Sequence, residues 1–338
     1  MITASFTIAR GLGPLPRMLE AARGAPAVAR VFHAEGVPIE IASNQHQKLP
    51  LRSLMALMER GAREVGDDLF GIALGGAMRP EDFGPFARYM LAARDVRSLL
   101  ARSTRAITYH QSGTGFSIKV SNDLVWWGYR VVEPISIGRR DHIDHILKPM
   151  LNGLRRYLGD SWVPSRIEVE YGRPKWWREL EDVFRAQVFF DMPTNAVVFE
   201  KRLLDRLALR PIPLGQLITG RDLRQLVAER PPRTQAEAVR EIIRLRLLDS
   251  IVDIDGAAIL LGIGPRTLQR QLAGENYTYR ELVEQTRMER ALALLRETAE
   301  PVTAIALSLG YSEIASFSRA FQRWTGFAPS RYRCRSGP

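Results

Sequence analysis

A short stretch of the chain, PRTLQRQL at residues 265–272, carries polar side chains at a spacing suited to binding. Leu268 and Leu272 lie four positions apart and share one side of a helix, which we take as the buried side. The outward positions are then Arg266, Gln269 and Arg270. Arginine and glutamine pair with guanine and adenine edges through two hydrogen bonds, and arginine also binds phosphate. The stretch therefore predicts contacts with nucleic acid or another anion.

A second stretch, residues 312–333, combines the same features with a different outward face. Phe317 and Phe321 again lie four apart and are predicted core residues, and we expect Trp324 and Phe327 to continue that packing. The outward positions are then Ile314, Ala315, Ser318 and Arg319. Isoleucine and alanine contact thymine methyl groups but form no hydrogen bonds with bases. We therefore expect residues 265–272 to carry the sharper sequence discrimination.

Each stretch follows a short apolar helix and a glycine. AAILLGIG at 257–264 and IALSLGYS at 305–312 share an Ala-x-x-Leu-Gly-apolar pattern, with Gly262 and Gly310 separated by 48 residues. Glycine supplies the positive φ of a tight turn. We expect Asp253 to cap the first short helix and Ser312 to cap the second long one. The repeat predicts two helix-turn-helix units.

The segment between the units favours one rigid helix. Residues 278–297 contain neither glycine nor proline and consist mainly of good helix formers. Such a helix is about 30 Å long, and successive major grooves on one side of DNA lie about 34 Å apart. The two recognition helices could therefore enter adjacent grooves.

Composition alone does not decide between partners. The net charge is +11, and 43 of the 48 basic residues are arginines. Residues 234–338 hold 14 basic and 12 acidic side chains, whereas residues 1–233 hold 34 and 25. Since the excess charge lies mainly outside the helical repeat, the prediction of nucleic-acid binding depends on the arrangement of residues.

Prolines mark the predicted domain boundary. The segment 211–234 contains PIPLG and the paired Pro231 and Pro232, which cannot continue a helix. Thr234 stands three residues before Glu237, a spacing typical of a helix start. We predict an effector-binding and dimerisation domain at 1–215, a linker at 216–233, and a helical domain at 234–338.

The first domain is predicted to be α+β, with helices first and a sheet later. Helical periodicity marks 51–65, 84–104 and 142–158. Strand-forming residues dominate 117–132 and 166–171, and 187–200 is predicted as a hairpin turning near 193–195. The whole chain is thus multidomain, an α+β sensor domain followed by an all-α domain with two helix-turn-helix units joined by a long helix.

Candidate effector-binding residues lie in aromatic and basic clusters of the first domain. Trp127 and Tyr129 share one face of a predicted strand, and Trp126 lies on the other. Buried core is the commoner role of such aromatics. Arginine pairs on helices suit an anionic effector, although they are more often solvated. The candidates are Arg102, Arg105, Tyr109, His110, Trp127 and Tyr129.

Catalytic and metal-binding motifs are absent from the sequence. It has no nucleophile elbow, Walker loop or HExxH motif, and GLGPLP at 11–16 ends in prolines instead of opening a helix after a strand. One cysteine, Cys334, excludes an internal disulfide and a cysteine cluster. The five histidines show no metal-ligand spacing, so His110 is disfavoured as a haem or metal ligand. We predict no enzymatic activity and no cofactor. Because neither a secretory signal nor a membrane span is present, we expect a cytoplasmic protein without membrane contact.

Residues from about 240 to 335 resemble the DNA-binding domain of AraC/XylS-type transcription regulators. The resemblance rests on Ile305-Ala306, Gly310-Tyr311, Phe317-Ser318-Arg319-Ala320-Phe321, Gly326, Pro329 and Tyr332-Arg333. The long helix fits too, with Arg287, Ala291, Leu294 and Leu295 at the family's positions. One departure is Gly264, where the family often has a serine cap.

The resemblance implies a role for the outward residues and for the first domain. It implies that the outward side chains of both units stand at the positions where the family contacts bases or phosphates. GVPIE near Gly36 and the segment 184–205 resemble, more loosely, the arabinose-binding-type effector domain of one branch, without implying arabinose as ligand. The implied partners are double-stranded promoter DNA, a small-molecule effector, RNA polymerase and a second copy of the chain.

Two other functions remain compatible with the sequence. One is a ligand-binding or haem-type sensor that signals to a protein partner through its helical domain. The other is an enzyme fused to a DNA-binding module, although the lone Cys334 makes alkyl acceptance a poor prediction. A lack of DNA affinity would favour the sensor.

Overall fold

The computed structural model describes residues 4–209, 212, 217–225 and 230–336. Parts of the predicted boundary, residues 210–211, 213–216 and 226–229, lie outside the described residues. Within the predicted linker, Gly220–Gln225 forms a short helix, α9, that contacts an earlier helix, Pro85–Leu91. Among the described residues, no helix is long and apolar enough to cross a membrane.

The first half of the N-terminal domain is mainly helical, as predicted. Two short antiparallel strands, β1 (Phe6–Ile8) and β2 (Lys48–Pro50), lie among the helices. The helices are α1 (Leu15–Arg23), α2 (Ala25–Ala34), α3 (Leu51–Val65), α4 (Phe70–Gly76), α5 (Pro85–Leu91) and α6 (Val96–Ala106). The helical stretch predicted at 84–104 is thus two helices, because the Asp95 side chain accepts a hydrogen bond from the Ser98 amide and starts a new one.

The second half contains a five-stranded sheet in the order β3-β4-β7-β5-β6. Its strands are β3 (Thr114–Ser121), β4 (Leu124–Val131), β5 (Arg166–Glu168), β6 (Val188–Phe189) and β7 (Asn195–Glu200). The helices of this half are α7 (Arg139–Leu158) and α8 (Trp177–Phe184). The predicted strand segment 117–132 is an antiparallel pair, β3 and β4, and β5 covers the first half of the predicted 166–171. Helix α7 begins three residues earlier than predicted.

The predicted hairpin at 187–200 is wrong. β6 and β7 do not pair with each other, because β5 lies between them and pairs in parallel with β6 and antiparallel with β7. Inserting β5 satisfies the hydrogen-bonding groups on both of its edges. The local pattern shows the strands but not their partners.

Two glycines bring α4 against α7. Gly71 and Gly75 lie four apart, and a Cβ added to them would stand 2.4 Å from the Asp141 carbonyl oxygen and 2.2 Å from that of His145. Only glycine permits this approach of one helix backbone to another. The contact fixes α7 and therefore the position of its two histidines, His142 and His145.

The C-terminal region is all helical. After α10 (Gln235–Arg246) follow α11 (Ile254–Leu260), α12 (Pro265–Ala273), α13 (Tyr279–Glu297), α14 (Val302–Ser308), α15 (Ile314–Thr325) and α16 (Pro329–Ser336). Asp253 caps α11 and Thr234 caps α10, as predicted. Gly262 and Gly310 have φ of 69° and 75°, which confirms both glycine turns.

The predicted cap at Ser312 is wrong. Helix α15 begins at Ile314, and Glu313 occupies the cap position without a side-chain hydrogen bond. The Glu313 carbonyl accepts the first helical bond, from the Phe317 amide at 3.3 Å. The turn after Gly310 is therefore one residue longer than the sequence suggested.

Two separate cores hold the C-terminal helices. One runs from the N-terminal domain through α10, α11 and α12 and includes Leu282 and Val283 of α13. The other contains Ala291 and Leu295 of α13 with apolar residues of α14 and α15. Helix α13 thus inserts its first half into one core and its second half into the other.

Candidate functional site

Helix α12 presents the predicted outward residues to solvent. Leu268 and Leu272 are fully buried, whereas Arg266, Gln269 and Arg270 are exposed. Pro265 occupies the first helical position, where its missing N–H costs nothing, and Gly264 before it provides no side-chain cap. The start of this helix is therefore set by proline and by packing of the two leucines.

Helix α15 presents a mixed face. Phe317 and Phe321 are fully buried, with ring centroids 5.7 Å apart, and Trp324 packs half-buried against Phe321. Phe327, in contrast, lies outside this core, 4.7 Å from the Arg335 guanidinium, so the prediction that it continues the packing is wrong. The outward side contains the exposed Ile314, Ala315 and Arg319 and the half-buried Ser318.

The arginines of the C-terminal region differ in whether they form ion pairs. Arg244 pairs with Glu241 and Glu289, and Arg246 pairs with Asp253. Across the described residues, neither Arg266 nor Arg270 forms an ion pair or a hydrogen bond with another side chain. Their charge is therefore not compensated by a neighbouring carboxylate.

The second turn is tied to the first unit and to the long helix. Arg287 of α13 donates to the Gly310 carbonyl at 3.2 Å and stacks on Tyr311 at 4.7 Å. Ser250, just after α10, donates through its hydroxyl to the Leu307 carbonyl at 3.0 Å. These contacts fix the position of one helix-turn-helix unit relative to the other.

A second candidate site is an apolar cavity in the N-terminal domain, between α5, the β3-β4 hairpin and α7. Its walls include Phe83, Phe86, Met90, Phe116, Trp127 and Met150. The polar residues that line it are His110, Gln111 and Tyr129. Among the described residues, no charged side chain lines the cavity.

A buried hydrogen-bond chain runs beside this cavity. The Gln111 side-chain amide donates to the Tyr129 hydroxyl at 2.8 Å and to the Thr114 hydroxyl at 2.9 Å. The Tyr129 hydroxyl lies 2.8 Å from His142 Nε2. Burial raises the pKa of Tyr129 far above its usual range. The Tyr129 hydroxyl is therefore uncharged at neutral pH.

Three buried histidines form a cluster around the aromatic wall. The His110 ring stacks on Phe86 at 5.4 Å and meets Phe83 edge-on, and the His142 and His145 rings stack at 6.3 Å. Burial lowers the pKa of His110 and His142 to about 3 and that of His145 to about 4. The Nδ1 atoms of all three are buried without a hydrogen-bond partner in the described part of the chain.

The cavity brings together half of the predicted effector residues. His110, Trp127 and Tyr129 line it, and Trp126 points to the opposite face of the sheet, as predicted. The others lie elsewhere: Arg102 donates to the Tyr89 carbonyl at 3.0 Å, Arg105 is exposed, and Tyr109 lies 5.1 Å from the Arg230 guanidinium.

The sequence reasoning missed Gln111, His142 and His145. The two histidines are three residues apart on one helix, a spacing that places both on the same face. That spacing could have pointed to a cluster. Gln111 had no such signal, because only the tertiary fold brings it to Tyr129.

Comparison with known proteins identifies both halves of the chain. Residues 27–207, more than half of the chain, match the model of the N-terminal arabinose-binding domain of AraC transcription regulators. Residues 257–335 match the model of a helix-turn-helix domain.

Relatives match over different lengths. The ornithine utilization regulator of Pseudomonas aeruginosa is 22% identical over 90% of this chain and 89% of its own length. VirS, an HTH-type transcriptional regulator of Mycobacterium tuberculosis, is 26% identical over 89% of each chain. VqsM, an HTH-type transcriptional regulator of P. aeruginosa, is 46% identical over 28% of this chain, and the chain covers only 30% of that protein. Among solved structures, the transcriptional regulator CdpR of P. aeruginosa matches over 91% of this chain and 97% of its own, with 21% identity and a TM-score of 0.42.

Proposed function

Because the chain belongs to the AraC family of transcription regulators, with an arabinose-binding-type domain before a helix-turn-helix DNA-binding domain, we propose that it binds a specific DNA sequence under the control of a small-molecule effector. The effector binds the N-terminal domain. The regulator acts as a homodimer at a promoter and influences RNA polymerase there.

The observation that carries this proposal is the pair of exposed arginines on α12. Arg266 and Arg270 flank Gln269 on one side of the helix, and no carboxylate of the described residues neutralises them. Side chains of these types read guanine and adenine edges in the major groove, at about 1–3 kcal/mol of discrimination for each good bidentate pair. The α15 face, with Ile314 and Ala315 beside Arg319, suits a thymine methyl and the phosphate backbone.

Helix α13 supports binding at two adjacent grooves. It has 19 residues, which corresponds to about 28 Å of helix, and each half belongs to a different core. Because the connection is rigid, binding of one unit to DNA holds the other near the adjacent groove, without a further loss of translational entropy. The site is therefore expected to contain two half-sites on one side of the duplex.

Effector control follows from a ligand that binds two states of the regulator with different affinity. The ratio of the ligand's affinities for the two states sets the largest shift of the DNA-bound population that it can produce. The apolar cavity in the N-terminal domain is the site that best fits a ligand. One relative is named an ornithine utilization regulator, but the uncharged cavity of this chain favours a different kind of molecule.

The DNA-binding part of the proposal is tested by selecting preferred sequences from random double-stranded DNA with the full chain. Mobility shifts then compare Arg266→Ala and Arg270→Ala with Arg280→Ala, which removes the same charge from an exposed position of α13. We expect the two α12 variants to lose about 10- to 100-fold in affinity for the selected site. Equal affinity in all three variants would contradict the assignment, and no enrichment of any sequence would contradict specific binding.

A further inference from the structure

The cavity between α5, the β3-β4 hairpin and α7 has a lining that restricts what it can bind. Apart from His110, Gln111 and Tyr129, every residue that lines it is apolar. We propose that this cavity binds a small uncharged molecule with a single ring and one hydrogen-bonding group, not a sugar and not an anion. The proposal rests on the proposed function, in which the N-terminal domain takes an effector, and names the class of that effector.

The size of the cavity limits the ligand to one ring. It leaves about 40 Å³ for the centres of water-sized molecules, and a single water needs about 10–15 Å³ on that scale. Met90 and Met150 form part of the wall, and methionine side chains repack more easily than branched ones. We expect these two side chains to shift when a six-membered ring binds.

The shape of the wall favours a flat molecule. Phe86 and His110 are stacked with ring planes 18° apart, and Phe116 and Trp127 are stacked with planes 28° apart. Aromatic rings pack favourably in offset or edge-on geometry at centroid distances of about 4.5–7 Å. All four rings line the cavity, so a planar ligand has aromatic partners there.

His110 provides the hydrogen-bonding group. Its side chain is nine-tenths buried and lines the cavity, and its Nδ1 is buried without a partner among the described residues. An unpaired buried polar atom is unfavourable, and a ligand hydroxyl or N–H that forms a hydrogen bond with it removes that cost. By contrast, the Gln111 amide and the Tyr129 hydroxyl already bond to each other.

The charge state of the site excludes anions. Burial holds the pKa of His110 near 3, with a smaller contribution from the positive charge of Arg10, which lies outside the lining. The imidazole is therefore neutral at pH 7, and no cation of the described residues lines the cavity to compensate a carboxylate. Burying an unpaired charge in such surroundings is strongly unfavourable.

Sugars fit the cavity no better. A pentose carries several hydroxyl groups, and each needs a hydrogen-bond partner once water is removed. The cavity offers few polar side chains, and two of them are already paired with each other. The lining thus disagrees with the sugar in the name of the matched domain model.

The test is a set of ring compounds that differ in one property each. Thermal unfolding of the full chain is followed with phenol, benzene, benzoate and L-arabinose, because a ligand of the folded state raises Tm by mass action. We expect phenol to raise Tm most, benzene less, and benzoate and L-arabinose not at all. A larger rise with benzoate or L-arabinose, or no rise with any probe, would overturn the proposal.

Two variants locate the binding. His110→Leu is expected to weaken phenol binding about 10-fold and to leave benzene binding nearly unchanged, since only phenol loses a hydrogen bond. Ala87→Phe fills the cavity and is expected to abolish binding of both rings. If His110→Leu does not fold, quenching of tryptophan fluorescence by phenol decides: Trp127→Phe removes the response, and Trp126→Phe, on the opposite face, keeps it. Unaltered phenol binding in Ala87→Phe, together with an unaltered fluorescence response in Trp127→Phe, would place the ligand elsewhere.

DNA binding is measured separately, so that the two proposals fail independently. A chain that binds phenol but no DNA sequence contradicts the proposed function and keeps the ligand class. A chain that binds its selected DNA but none of the ring compounds contradicts the ligand class alone.

Discussion

At the scale of residues, four buried titratable groups on or near α7 have opposing effects on how stability changes with pH. His110, His142 and His145 are neutral in the folded chain, with pKa values of about 3, 3 and 4 against an ordinary 6.5. Asp144 accepts a hydrogen bond from the Tyr171 hydroxyl at 2.6 Å, and burial raises its pKa from 3.8 to about 7. Near pH 5 the unfolded chain therefore binds about three more protons at the histidines and about one fewer at Asp144.

These groups predict how stability changes with pH. Lowered histidine pKa values contribute stability above pH 6.5 that is lost as pH falls toward 3, and the raised Asp144 pKa has the opposite effect between 3.8 and 7. The net difference of about two protons gives a slope of about 3 kcal/mol per pH unit near pH 5, with stability rising with pH. Chemical denaturation between pH 4 and 7 measures this slope.

The variant Asp144→Asn tests the assignment of the opposing proton. It removes the group that is protonated in the folded state, so the slope near pH 5 is expected to rise by about 1 kcal/mol per pH unit. Asp182→Asn, on the neighbouring α8, provides a control with the same chemical change. An unchanged slope in Asp144→Asn would show that this carboxyl is ionised in the folded protein.

At the scale of elements, two glycines with the same backbone conformation differ in what surrounds them. Gly310 and Gly326 have φ of 75° and 78°. A Cβ at position 310 would stand 2.7 Å from the Ser250 carbonyl oxygen, whereas nothing lies within 4 Å of one at position 326. Both substitutions by alanine carry backbone strain, and only the first adds a contact with backbone.

We predict that Gly310→Ala is more destabilising than Gly326→Ala. The left-handed conformation costs about 1–2 kcal/mol in both, and the steric contact adds to it at position 310 alone. The free energy of unfolding of both variants, measured in urea, gives the difference directly. Equal losses would mean that the turn of the second unit relaxes away from Ser250.

Helix α13 contributes side chains to two cores. We therefore predict two regions of different local stability. Leu282→Ala removes a fully buried side chain from the first core and Leu295→Ala one from the second, each at a cost of about 2–5 kcal/mol. We expect Leu295→Ala to speed amide hydrogen exchange in α14 and α15 and to leave α11 and α12 protected. Uniform acceleration across both units would show that the two cores unfold as one.

At the scale of the whole molecule, helix α10 of the C-terminal region packs on the N-terminal domain. Lys48 of β2 contacts Glu241 of α10 at 3.1 Å, with the two side chains only 9% and 12% exposed, and the Gln47 amide donates to the Glu241 carbonyl at 3.5 Å. The first hydrophobic core continues across the same boundary. The N-terminal domain and the helix that precedes the first helix-turn-helix unit are therefore in direct contact.

This contact predicts that Lys48→Met weakens the docking of α10. The expected loss is about 1–2 kcal/mol, below that of a fully isolated buried pair, because Arg244 also holds Glu241 at 2.8 Å. Faster hydrogen exchange in α10 is the measurement. Arg97→Met, which breaks an exposed pair with Asp205, serves as the control and is expected to cost less than about 1 kcal/mol.

Most helices of the C-terminal region could be predicted from the sequence, whereas fewer of the contacts within the N-terminal domain could be. Helix starts at Thr234, Asp253 and Thr278 depend on side chains that bond to the next turn, so local sequence is sufficient. The predicted partner of β6 was wrong because β5, which pairs with it, is distant in the chain. The predicted cap of α15 was wrong because Glu313, not Ser312, precedes the first helical residue. The outward residues of α12 and α15 remain predictions as DNA contacts.

What the sequence determined by itself is the helical repeat with its polar face. Burial of Leu268, Leu272, Phe317 and Phe321 follows from their spacing of four, since the helical period fixes which side chains share a side. Only the tertiary structure decided that His110, Gln111 and Tyr129 meet His142 beside a cavity without charge. Those residues come from a loop, a strand and a helix, and their distances are set by packing such as the Gly71 and Gly75 contact with α7, which no local pattern encodes.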